Sequence, residues 1–62
     1  MTDGRLMVQA LVWSPRAEER MAVINNRIVR EGAVLDGFSV IGIGEDAVYV
    51  NEAGRVLEVP FR

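Results

Sequence analysis

Few residues in this 62-residue chain could carry out chemistry. It has no histidine and no cysteine. That removes the commonest general base and metal ligand, along with any thiolate, disulfide or zinc–sulfur site. Carboxylates adjoin at Glu18-Glu19 and Glu45-Asp46, the residue type for general acid–base work. Sequence neighbours on a turn, however, point to solvent and do not converge on a substrate. Ser14 and Ser39 have no histidine or lysine to activate them as nucleophiles. Gly42-Ile43-Gly44 lacks the third glycine and the following helix of a dinucleotide-binding loop, so a strand bend accounts for it better. The expectation is a protein that is not an enzyme and that uses no cofactor or metal.

What remains is binding. Leu6, Val8, Ala10 and Val12 alternate with Met7, Gln9, Leu11 and Trp13 between Arg5 and a Ser14-Pro15 break. A strand with this pattern offers an apolar set on each side. If the even set enters the core, Met7, Leu11 and Trp13 form a partly exposed stripe with Arg5 and Gln9 as its polar rim. Exposed apolar stripes mark interaction sites, and tryptophan and arginine often dominate binding energy. Arg5, Met7, Gln9, Leu11 and Trp13 are therefore the candidate partner-binding residues. The alternative is that a turn folds over the stripe and Trp13 caps one end of the core.

Short strands separated by turns must position this edge. Met21 to Asn25 and Arg27 to Arg30 flank Asn25-Asn26, and asparagine tolerates the left-handed backbone that a two-residue hairpin demands. Ser14 can cap one helical turn over residues 15–19, with proline at its first position. Gly32 and Asp36-Gly37 punctuate a loop, and Phe38 to Ile43 reads as a strand that Gly42 and Gly44 bulge or bend. Ala47 to Asn51 and Arg55 to Phe61 read as two more strands joined at Asn51-Glu52-Ala53-Gly54, and Pro60 marks an edge. The reading is all-β: one domain over residues 1–62, a small sandwich or partly open barrel of five to six short antiparallel strands with one short helical turn. Period-2 alternation assigns Leu6, Val8, Val12, Val23, Leu35, Val40, Val48, Val50, Leu57 and Val59 to the core.

Composition narrows the partner. Net charge is −2, and all seven basic residues are arginines spread along the chain, so nucleic acid is not expected as a ligand. No run approaches the roughly 20 apolar residues of a membrane span. A domain of this size buries only about 60% of its unfolded surface, with a net stability of about 3–5 kcal/mol. It would therefore gain from a partner or from homo-oligomerisation.

The order of the pieces carries a resemblance. Leu11-Val-Trp-Ser-Pro, Arg20-Met-Ala-Val-Ile-Asn-Asn-Arg, Arg30-Glu-Gly, Asp36-Gly and Val40-Ile followed by Asp46-Ala-Val-Tyr-Val are similar to the C-terminal periplasmic domain of general secretion pathway protein B, an accessory of the bacterial type II secretion system. The similarity spans residues 7–61. The layout also resembles the homology region of secretion protein C and the periplasmic domain of pilus lipoprotein P. Asn26, Ala33 and Ala47 stand where the family usually has glycine, aspartate and glycine. The resemblance implies the last domain of a longer, membrane-anchored protein on the periplasmic side of the inner membrane. The implied partners are the N-terminal periplasmic domains of the outer-membrane secretin and other secretion-apparatus proteins, and the implied role is assembly or anchoring. Apart from the resemblance, a small SH3-like barrel binding protein or RNA in the cytoplasm is the other reading.

Overall fold

The computed structural model describes residues 6–35 and 37–61, so Arg5 and Asp36 lie outside the described residues. Seven strands follow one another there: β1 (Val8–Val12), β2 (Met21–Ile24), β3 (Arg27–Val29), β4 (Val34–Leu35), β5 (Phe38–Ile43), β6 (Ala47–Glu52) and β7 (Arg55–Pro60). All pairings are antiparallel. They form one three-stranded sheet, β1-β2-β3, and one four-stranded sheet, β4-β5-β6-β7. The expected five or six strands become seven because the loop around Val34-Leu35 pairs with Ser39 and Phe38. The helical turn narrows to a single 3-10 turn over Ala17–Glu19. Ser14 does not cap it in the expected way: Arg16 holds the capping position, and its N–H donates to Ser14 Oγ at 3.2 Å.

Turn chemistry follows from backbone sterics. Asn25 and Asn26 have φ of 52° and 68°, the two positive values of the hairpin turn whose twist suits its flanking strands. The β6–β7 hairpin repeats this geometry at Ala53 and Gly54, with φ of 53° and 84°. There the first position is alanine, which has no polar side chain to offset the steric penalty of this region by a local hydrogen bond.

One apolar core joins the two sheets. Leu6, Val8, Ala22, Ile24 and Val29 meet Leu35, Phe38, Val40, Ile43, Val48, Val50 and Val59. Seven of the ten expected core residues are buried there, and Leu57 packs against the cluster. Val12 and Val23 need correction. Val12 is 52% exposed, and Val23 lies in register with Ala10 and Ile28 on the outer face of its sheet. The cause is a register shift between Val8 and Ala10. One extra residue on a bulged strand reverses which side chains point inward downstream. Val8 is buried, and Leu11, paired with Ala22, is the next β1 side chain to pack on the core. In β2, Met-Ala-Val-Ile has no polar residue to fix the phase; Ala22 and Ile24 take the inner face.

A second shift, between Val40 and Gly42, does the same in β5. Val40 and Ile43 both face the core while Ile41 turns outward. The glycines of this bend serve an aromatic neighbour. Tyr49 pairs with Gly42, and a Cβ on Gly44 would meet the Tyr49 ring at 3.3 Å and the Ala47 carbonyl oxygen at 3.4 Å.

Candidate interaction surface

The bulge at Gln9 decides what β1 presents. Its side chain pairs with the β2–β3 turn: Gln9 Nε2 donates to Asn26 Oδ1 at 2.9 Å, and Gln9 Oε1 accepts the Asn26 N–H. Met7 binds the same turn, its N–H donating to Asn25 Oδ1 at 2.9 Å and its carbonyl accepting from Asn25 N–H at 3.1 Å. Four hydrogen bonds thus fasten the start of the first strand to the hairpin. Asn26, where the resembling family has glycine, supplies an acceptor that glycine lacks.

Met7, Gln9, Leu11 and Trp13 consequently do not share one face. Met7 is exposed, Gln9 is engaged with Asn26, and Leu11 is packed on the core. Trp13 lies past the end of β1 with its ring covered on one side by Arg20, whose guanidinium carbon is 5.2 Å from the ring centroid. Arg20 is itself held in place. Its Nε donates to the Ser14 carbonyl at 2.6 Å, one terminal nitrogen to the Pro15 carbonyl at 3.2 Å, and the other to Glu31 Oε2 at 3.2 Å. Glu31 Oε2 also accepts the Ile43 N–H at 2.9 Å. The Trp-Ser-Pro, Arg-Met-Ala and Arg-Glu-Gly segments that carry the resemblance therefore meet in a clamp joining the lead-in to β2 with the end of β5.

The clamp sets the charge state of Glu31. The Ile43 N–H holds this carboxyl below its ordinary range; desolvation opposes it, and the Arg20 guanidinium adds further lowering through its hydrogen bond and its charge. The adjoining acids behave differently. Glu18 and Glu19 make exposed ion pairs with Arg16 at 3.9 and 3.7 Å, contacts worth little in water. Glu19 Oε1 accepts from Ser14 Oγ at 2.9 Å. Glu45 and Asp46 are exposed at the β5–β6 turn. Among the described residues no group of three or more acidic, histidine or cysteine side chains is placed to hold a metal ion, and no helix is long and apolar enough to cross a membrane.

The apolar surface that alternation along β1 did not reveal is the outer face of the three-stranded sheet. Ala10, Val23 and Ile28 form one row across β1, β2 and β3, and Val12 and Met21 form the next. Ile28 is 72% exposed and Val12 52%. Arg30, exposed just past the end of β3, donates to the Glu18 carbonyl at 2.7 Å. The sequence held a sign of this surface: β2 and the Arg27-Ile28-Val29 strand are apolar on both faces, and a two-layer domain can bury only one.

Comparison with protein-family models, curated proteins and solved structures finds no match to this chain.

Proposed function

We propose that this chain is a non-catalytic protein–protein interaction domain of a type II secretion apparatus, binding the outer-membrane secretin or helping to assemble and anchor it from the periplasmic side of the inner membrane. The ordered resemblance over residues 7–61 supplies the system and the partner. The observation that carries the interaction role is the solvent-facing apolar patch of Ala10, Val12, Met21, Val23 and Ile28. An apolar sheet face left in water on so small a domain costs solubility unless a partner covers it. Met7, just before β1, is exposed as well. Leu11 packs on the core instead, while Trp13, 39% exposed, keeps part of its ring in solvent beside Arg20.

The test is calorimetric titration of the chain with the secretin's N-terminal periplasmic domains, alongside Ile28→Asp and Leu11→Ala. Binding that Ile28→Asp abolishes without altering the melt supports the reading. Absence of binding to every secretin subdomain removes it, and a cytoplasmic protein- or RNA-binding module would then be the better account.

A further inference from the structure

The outer face of the four-stranded sheet also exposes apolar side chains, among the polar Ser39 and Asn51, and it carries the opposite charge. Val34, Ser39, Asn51 and Val56 are in register across β4, β5, β6 and β7, and the next row runs Gly42, Tyr49, Glu58. Val34 is 76% exposed and Val56 63%, with Ile41 beside them at the β5 bulge. The charged side chain within this face is Glu58, level with Tyr49. The one at the margin of the opposite face is Arg30, exposed just past the end of β3. Neither has an ion-pair partner among the described residues: Arg30 has the neutral Glu18 carbonyl, and the ion pairs there are those of Arg16 and Arg20.

Because the two sheets share one core between them, these faces point away from each other. The geometry points to a second copy of this chain as the occupant. The Ile28 face of one molecule lies on the Val56 face of the next, and Arg30 approaches Glu58 across the contact. Pairing either face with its own copy would bury the same apolar side chains but gain no ion pair, so charge favours the unlike pairing. A contact between two different patches on opposite sides is heterologous, and it propagates as a stack or closes as a ring. Three strands about 4.8 Å apart and five residues rising about 3.3 Å each give a footprint of roughly 14 by 17 Å. That is far below the roughly 800 Å² per partner of a stable pair. Association is therefore weak for two molecules and gains only by repetition or local crowding. Where a secretin domain occupies the Ile28 face, as the preceding section proposes, growth of the stack stops there.

Sedimentation velocity on the 62-residue chain, from roughly 10 µM to 1 mM in low salt, tests this directly. The wild type is expected to show a concentration-dependent rise in mean mass that salt suppresses. Ile28→Asp and Val56→Asp, each on an exposed side chain, are each expected to be monomeric with an unchanged circular dichroism spectrum. Their mixture is expected to form a one-to-one dimer and nothing larger, because each variant retains the face the other has lost. A wild type that stays monomeric throughout overturns the inference. So does loss of association in only one of the two variants, which would mean that one face pairs with itself. Val56→Asp leaves the Ile28 face intact, so its secretin binding reports on the proposed function independently of self-association.

Discussion

The guanidinium of Arg20 and the carboxylate of Glu31 meet at 3.2 Å, eleven residues apart in sequence, and through Glu31 the contact reaches the Ile43 N–H of the other sheet. Arg20 simultaneously covers Trp13 and binds two carbonyls of the β1–β2 connection. One ion pair thus fixes the path of a connection, the orientation of an indole and the approach of two sheets. Both side chains keep about a quarter of their surface in water, so solvent screening tempers the pair.

Glu31→Ala is expected to destabilise the domain by about 1–2 kcal/mol, since it removes a charge-assisted contact and leaves the Ile43 N–H unpaired. Glu31→Gln keeps an acceptor for that N–H and should cost less. Thermal melts of the two variants check the order. Equal melts for both and for the wild type would mean that the clamp contributes nothing.

Glu31 also makes stability depend on acid. Its folded-state pKa lies below the ordinary 4.5, so its contribution is present in full above the unfolded value and is lost as pH falls through the folded one. Melting temperature should therefore fall on acidification below about pH 4.5. The fall should be shallower in Glu31→Gln, which has no proton to take up at this position. Parallel acid limbs in the two proteins would contradict this assignment.

Ala53 holds φ of +53° at the first position of a tight hairpin turn. Asparagine occupies this conformation more readily, as Asn25 does in the equivalent turn. Ala53→Asn is expected to raise stability by about 0.5–1 kcal/mol, a shift of roughly 2–8 °C in Tm for so small a domain. A lower Tm would count against the turn geometry.

Leu11 and Val12 are sequence neighbours on opposite faces. Leu11→Ala should cost about 1–3 kcal/mol because it removes packing on the core, whereas Val12→Ala should stay within about 0.5 kcal/mol. Denaturant unfolding of both variants tests the bulge directly, since without the register shift the two results would exchange. The double variant Leu11→Ser with Trp13→Ala is expected to melt lower than the wild type, because Leu11 packs on the core and Trp13 lies against Arg20.

The all-β class, most of the strands and the main turns are legible along the chain, because these rest on local physics. Alternation marks a strand wherever one set of side chains is apolar. Asn25-Asn26 fits a turn whose backbone excludes most other residues, and Pro60 sits near the end of an edge strand. Buried Val8, Val40, Val48, Val50 and Val59 followed from the same alternation. The glycines of β5 announced a bend, and a bulge is there.

The phase of β1 and β2, and the surface that follows from it, come from long-range pairing. Alternation carried past Gln9 would send Val12 inward. The bulge reverses this, and nothing in the residues around Gln9 announces it, because the residue Gln9 bonds there, Asn26, is seventeen residues away. In β2 both faces are apolar, so the choice between them waits on which strands lie opposite. The clamp was equally hidden. Arg20, Glu31 and Trp13 are ordinary residues in sequence, and they become one structure only when the two sheets close over their shared core.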